Sequence, residues 1–182
     1  MNFTNFSLLG RPQPIVDAFY CASAYLEEFQ LFRGTRRNSI ALLGNPGSGK
    51  THLLTSIANG LLLRGVAVLY FPWVEGFNDL KANFDLLNTK LERLKKVEVL
   101  FLDDLFKGRK SPTEFQLETL FEVINYRYLN HLPILVSSEK EIDDICLFDE
   151  GIGSRIYEMC KDFIVLIHGD RKTLNYRLLE VS

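Results

Sequence analysis

The apolar positions of this 182-residue chain switch repeatedly between two spacings. Ile15, Phe19, Ala22, Tyr25, Leu26 and Phe29 recur every three to four residues, so residues 15–32 are predicted to form an amphipathic helix. Other stretches are continuously apolar and short: Ser39-Ile40-Ala41-Leu42-Leu43, Val66-Ala67-Val68-Leu69-Tyr70-Phe71, Val97-Glu98-Val99-Leu100-Phe101-Leu102, Pro133-Ile134-Leu135-Val136 and Phe163-Ile164-Val165-Leu166-Ile167. Such runs predict strands buried on both faces, the habit of parallel sheets. Helical patterns fill the gaps at residues 52–63, 74–96 and 112–129, the last with Phe115, Leu117, Leu120, Phe121 and Ile124 facing inward. Strands alternating with helices predict an α/β three-layer sandwich with right-handed crossovers. Residues 3–12 are too interrupted for either period and read as an ordered lead-in.

Composition adds bounds to this picture. With 47% hydrophobic residues, the chain can bury a full core as one domain over residues 1–182, with a lead-in and helix at 1–38 and the sheet-bearing core at 39–182. Cys21, Cys146 and Cys160 have no C-x-x-C spacing and read as reduced, small apolar residues. No apolar run approaches the roughly 20 residues of a membrane span, and the first residues lack a leader pattern, so a cytoplasmic protein is expected. The formal net charge of −2 confines any nucleic-acid contact to local basic clusters. Arg33, Arg36 and Arg37 form one such cluster, although short basic runs are usually solvated faces.

The chemistry concentrates after two strands. Gly44-Asn45-Pro46-Gly47-Ser48-Gly49-Lys50-Thr51 fits G-x-x-x-x-G-K-[ST], follows a predicted strand and precedes a predicted helix. Such a loop aims backbone N–H groups at phosphate oxygens from the start of a helix, Lys50 adds a point charge, and Thr51 offers a hydroxyl for Mg²⁺. A glycine-rich turn could match the pattern by chance, but the strand and helix around it supply the required context. The third strand ends in Asp103-Asp104, a Walker B pattern: Asp103 suits the magnesium shell and Asp104 the positioning or deprotonation of an attacking water. Adjacent acids are common at turns, so this signal draws its strength from the upstream phosphate loop.

With these motifs in hand, the chain resembles the AAA+ ATPases of the bacterial helicase-loader group, the DnaC/DnaI type, including phage-encoded relatives. The resemblance spans nearly the whole sequence. It rests on Phe3-Thr4-Asn5-Phe6, residues 44–51, Leu102-Asp103-Asp104-Leu105, Ile124-Asn125-Tyr126-Arg127-Tyr128, Leu135-Val136-Ser137-Ser138, Gly153-Ser154-Arg155-Ile156 and Asn175-Tyr176-Arg177-Leu178. It implies a P-loop core with a five-stranded parallel sheet of order 5-1-4-3-2 and, because little chain follows Arg177, little or no C-terminal lid. It also implies that ATP is held by residues 44–51 together with His52. Ser138 takes the place of a sensor 1 group at the γ-phosphate, with Glu139 where relatives often have Asn. Arg155 takes that of an arginine finger serving a neighbouring subunit. Arg177, ahead of Arg171, takes that of sensor 2.

The function implied is an ATP-hydrolysing loader that assembles into homo-oligomers, binds single-stranded DNA and helps place a replicative DNA helicase on it. Loaders usually carry a separate N-terminal helicase-gripping domain, whereas this sequence starts close to the ATPase core. Basic groups near Lys107, Arg109 and Lys110, and near Lys90, Arg93 and Lys96, are the DNA candidates, since single strands are held by cations and stacking aromatics. The alternatives are a transposition helper ATPase of the insertion-sequence type, a small P-loop kinase, and a nucleotide-dependent scaffold with negligible turnover. A kinase would need an arginine-rich lid that the sequence does not show.

Overall fold

Five parallel strands form one sheet: β1 at Ile40–Gly44, β2 at Val68–Pro72, β3 at Val99–Leu105, β4 at Ile134–Ser138 and β5 at Ile164–Ile167. In this computed structural model, which describes residues 1–82, 84–108 and 111–178, the strand order is β2-β3-β4-β1-β5. Read from the other edge, that is the 5-1-4-3-2 order expected above. The helices are α1 at Gln13–Phe32, α2 at Lys50–Leu63, α3 at Trp73–Ala82, α4 at Leu87–Lys96, α5 at Glu114–Leu129, α6 at Ile142–Phe148, α7 at Glu150–Cys160 and α8 at Arg171–Leu174.

Alternation along the strands separates two cores. Ile40, Leu42, Phe101 and Leu135 face α1 and α2, whereas Ala41, Leu43, Leu100, Leu102, Ile134 and Val136 face α3, α4, α5 and α7. The three central strands are buried at every position except Asp104. The expectation of burial on both faces fails for β2 and β5, where Tyr70 remains 51% and Leu166 46% exposed. The reason is topological: β2 and β5 are the edge strands, each with a neighbour on one side only. No helix among the described residues is long and apolar enough to cross a membrane.

Residues 74–96 do not form one helix. A 3-10 turn at Phe84–Leu86 separates α3 from α4. A continuous helix of that length would run about 35 Å at 1.5 Å per residue, twice the roughly 17 Å of a five-residue strand. Breaking it lets Trp73, Phe77 and Leu80 of α3 and Leu91 and Leu94 of α4 join the same core. Phe121, expected inward, is 37% exposed, with Arg155 of α7 over its ring. The basic loop is paired with acids from three other places in the chain: Arg33 with Glu98, Arg36 with Glu158 and Arg37 with Asp162. Arg36 also lies over the Tyr128 ring, 4.1 Å from its centroid.

Among the described residues, one charged side chain has no exposed surface and no carboxylate partner. Arg127 on α5 donates from Nη1 to the carbonyls of Leu94, Lys95 and Val97 at 3.0, 3.0 and 2.9 Å, and from Nη2 to those of Glu98 and Pro133 at 3.2 and 2.7 Å. These oxygens lie at the C-terminal end of α4 and just before β3 and β4. Helix-terminal carbonyls lack intrahelical partners and carry the negative end of the helix dipole, so a guanidinium suits them twice over. Burial lowers the Arg127 pKa to about 9, which still leaves it charged at neutral pH.

Arg127→Met should therefore cost on the order of 3–5 kcal/mol, since it strands several buried carbonyls at once. Arg127→Lys should recover only part of this, because an ammonium has three protons for five acceptors. Urea unfolding followed by circular dichroism measures both. A wild-type midpoint for Arg127→Met would show that the carbonyls find other partners.

Candidate functional site

The turn that follows β1 is built by backbone geometry. Gly47 and Gly49 have φ of 72° and 97°, the left-handed region that side chains disfavour. Space forbids a side chain there as well: a Cβ on Gly49 would lie 2.6 Å from the Phe6 ring, and one on Gly47 would collide with the Asn175 side chain. The loop leads directly into α2, whose first residue is Lys50. Its buried ammonium donates to the carbonyls of Gly44 and Asn45 at 2.8 and 2.7 Å. Burial lowers the Lys50 pKa to about 8, against the opposing pull of Glu139, Asp104 and Asp103. Ser48 Oγ donates to the Asn45 carbonyl, Asn45 Nδ2 donates to Gly169 O, and Pro46 stands exposed on the rim. The His52 ring meets Phe6 edge-on at 5.2 Å and lies 3.0 Å from the Asn2 carbonyl.

The Walker B acids sit in a β-bulge. Leu102 pairs with Val136 and Leu105 with Ser138, so Asp103 and Asp104 together face the single residue Ser137. Asp104 accordingly adopts φ of 54°. Ser137 Oγ accepts from Asp104 N at 2.8 Å and donates to Asp103 Oδ1 at 2.5 Å. Thr51 Oγ1 donates to the same oxygen at 2.9 Å, and the Tyr70 hydroxyl donates to Asp103 Oδ2 at 2.9 Å. The Asp104 carboxylate pairs with Lys107 at 2.5 Å.

These groups share a cleft of about 580 Å³ that holds residues 46–52, Asp103, Asp104, Lys107 and Glu139. Its far wall comes from the lead-in and from a C-terminal strap, residues 168–178. Tyr176 N donates to Gly47 O at 2.9 Å, Arg11 donates to Leu174 O at 3.3 Å, and the Arg11 guanidinium lies over the Tyr176 ring. Arg177 reaches the cleft from this strap.

Ser138 and Arg155 do not line this cleft, and of the two only Ser138 was expected to act in its own subunit. Ser138 donates to Leu105 O at 2.6 Å and accepts from Lys140 N at 3.0 Å, with no exposed surface. Its hydroxyl holds the strand pairing beyond the bulge, and the sensor expectation for Ser138 is corrected on that ground. Its neighbour Glu139 lines the cleft instead. Arg155 is not among the described residues of the cleft. It donates to Asn125 Oδ1 at 3.2 Å and Gly151 O at 2.8 Å and lies over the rings of Phe121 and Tyr128. Among the DNA candidates, Lys90 pairs with Asp79 and Lys96 with Glu92, while Arg109 and Lys110 lie outside the described residues.

The donor set fits magnesium bound together with phosphate. Thr51 and Asp103 offer hard oxygens, and no group of three or more His, Cys, Asp or Glu among the described residues could hold a metal alone. Magnesium characteristically takes one or two carboxylates and completes its shell with phosphate oxygens and water. Ser137 and Tyr70 were not singled out for this site by sequence. Alternation along β4, which sends Ser137 and Ser138 to opposite faces, is the signal that could have separated them.

Comparison with known proteins gives the geometry a setting. The sequence profile described as "IstB-like ATP binding protein" matches residues 30–152. The chain is 57% identical over 180 residues to "Uncharacterized protein YqaM" of Bacillus subtilis (strain 168), covering 97% of this chain and 58% of that one. It is 53% identical over 182 residues to "Phage-like element PBSX protein XkdC" of the same organism, covering 98% and 68%. The chain thus spans only 58% of the length of YqaM. Among solved structures, DnaI superposes with a TM-score of 0.75 at 27% identity, covering 94% of this chain and 89% of that one. The replication initiator DnaA bound to AMPPCP and single-stranded DNA superposes at 0.70 with 25% identity, covering 94% and 51%.

The lowered Lys50 pKa sets a pH dependence. Nucleotide phosphates favour the ammonium, so above about pH 8 binding must take up a proton, and affinity should fall by up to about tenfold per pH unit. Calorimetry at pH 9 in two buffers of different ionisation enthalpy measures that uptake. A value near zero would remove Lys50 from the phosphate contact.

Proposed function

The chain belongs to the IstB-like ATP-binding protein family, and from that premise we propose that it is an ATP-hydrolysing helicase loader acting on single-stranded DNA. The observation that carries the ATPase reading is the Thr51–Asp103 hydrogen bond beside Lys50 at the mouth of the glycine loop. Backbone N–H groups of the loop and Lys50 hold the phosphates, and His52 borders them at the start of α2. Thr51 and Asp103 would hold magnesium, which would supply neutralisation of phosphate charge. Asp104 orients the attacking water and takes its proton. Its carboxylate is paired with Lys107, so hydrolysis requires that pair to open. Arg177 reaches the phosphates of its own subunit from the strap.

Arg155 acts across an interface. Its place outside its own cleft, on a shelf of Phe121 and Tyr128, suits a finger serving a second copy of the chain. The loader reading draws on the likeness to DnaI and on a relative from a phage-like element. Single-stranded DNA as partner draws on the DnaA complex and on the exposed cations Lys107 and Arg93. The family description favours a second reading, a helper ATPase of insertion-sequence transposition. Co-purification with a replicative helicase, in ATP and in ADP, against the same assay with a transposase decides between them. ATP turnover with and without single-stranded DNA tests the common ATPase core.

Asp104→Asn should keep metal-dependent ATP binding and hydrolyse poorly, whereas Asp103→Asn should lose the metal-dependent part of binding. Identical magnesium titrations for the two variants would refute this division of roles.

Arg155→Ala should bind ATP normally yet turn it over about 10³ to 10⁵ times more slowly, the worth of a finger in well-studied cases. Lys50→Ala should be inactive through failure to bind. Mixing the two restores interfaces that pair a sound loop with a sound finger, so activity should partly return and rise with protein concentration. A mixture that stays inactive, although mixed assemblies are shown to form, would assign Arg155 a role within its own subunit.

A further inference from the structure

Tyr70 stands apart from the other groups around the Walker B carboxylate. It comes from β2, an edge strand, and its residue is half exposed, yet its hydroxyl reaches inward to Asp103 Oδ2 at 2.9 Å. The ring is fixed by edge contact with Phe101, centroid to centroid 5.0 Å at 66°. An ordinary phenol is protonated at neutral pH, so here it is the donor and the carboxylate the acceptor. The donors to Asp103 are divided between its two oxygens. Oδ1 accepts from Ser137 and from Thr51. Ser137 Oγ also accepts from Asp104 N, which leaves its proton for Asp103. Among the hydrogen bonds described for Asp103, that from Tyr70 alone reaches Oδ2.

We propose that Tyr70 is a positioning residue for the metal site: by donating to Asp103 Oδ2, it sets the plane and rotation of the carboxylate that, with Thr51, receives magnesium. This rests on the magnesium-holding role given to Asp103 above. A carboxylate bonded at Oδ1 alone can swing about its Cβ–Cγ bond. Fixing Oδ2 from a different strand removes that freedom before the metal arrives. Groups that orient a metal ligand in this way typically change metal affinity by about 10- to 100-fold when removed. Phosphate binding by the glycine loop and Lys50 does not pass through Tyr70, so the two parts of nucleotide binding should separate.

The test is Tyr70→Phe, which keeps the ring against Phe101 and removes one oxygen. Nucleotide affinity is measured by calorimetry in EDTA and across a magnesium titration, and manganese binding in the presence of ADP is followed by electron paramagnetic resonance. The expected result is unchanged affinity in EDTA and an unchanged thermal midpoint. The metal concentration at half-effect should rise by about tenfold or more, with broader manganese binding isotherms. Asp103→Asn is the reference. If wild type shows metal-dependent binding, Asp103→Asn loses it and Tyr70→Phe titrates within twofold of wild type, the Tyr70 role is wrong while the site stands. If wild type and Asp103→Asn titrate alike, the metal role of Asp103 falls and the positioning role falls with it. A Tyr70→Phe variant that loses affinity equally in EDTA and in magnesium would make the hydroxyl a general packing contact and also overturn the proposal.

Discussion

A single serine hydroxyl holds together the region on which this fold's chemistry depends. Where β3 places Asp103 and Asp104 opposite one residue of β4, the backbone ladder is interrupted and Asp104 is forced to a positive φ. Ser137 bridges the interruption by accepting from the Asp104 amide and donating to the Asp103 carboxylate. The bridge gives the part-buried Asp104 amide a partner that the interrupted ladder does not supply. What the bulge provides is direction: two consecutive acids, which a regular strand would send to opposite faces, can both border one cleft.

The sequence made the local parts of this site readable and left the cross-strand parts dark. The glycine loop was legible because its glycines, lysine and threonine are contiguous and the turn needs nothing from elsewhere to be recognised. Asp103 was legible because an apolar strand ends on it. Alternation puts Ser137 and Ser138 on opposite faces, but which of the two meets the paired acids depends on a bulge in a different strand. Tyr70 was read as one more apolar position because nothing in its own run marks β2 as a sheet edge. Arg127 drew notice as part of a motif, but a charged residue in a helix ordinarily faces water, and its partners are carbonyls 6 to 33 residues away.

Electrostatics divides the basic residues into those that hold the fold and those that face the cleft. Arg33, Arg36 and Arg37 knit the end of α1 and the loop behind it to acids just before β3, on α7 and just before β5. Arg127 does the same work for the C-terminal end of α4 without any carboxylate. Lys50, Lys107 and Arg177 instead border a space that also contains three carboxylates. Opposed charges so arranged favour a ligand that brings both phosphate and a divalent cation over either one alone.

The strap after β5 is bonded to the glycine-rich loop that follows β1. Asn45 N donates to Ile167 O, Tyr176 N donates to Gly47 O, and Asn175 fills the space that a side chain at Gly47 would need. The two segments therefore share one free-energy surface. Thermodynamic reciprocity then holds between them: if nucleotide occupancy changes how tightly the strap is held, any molecule that grips the strap changes nucleotide affinity by the same factor. The strap is in this sense a second handle on the nucleotide, reachable from outside the cleft.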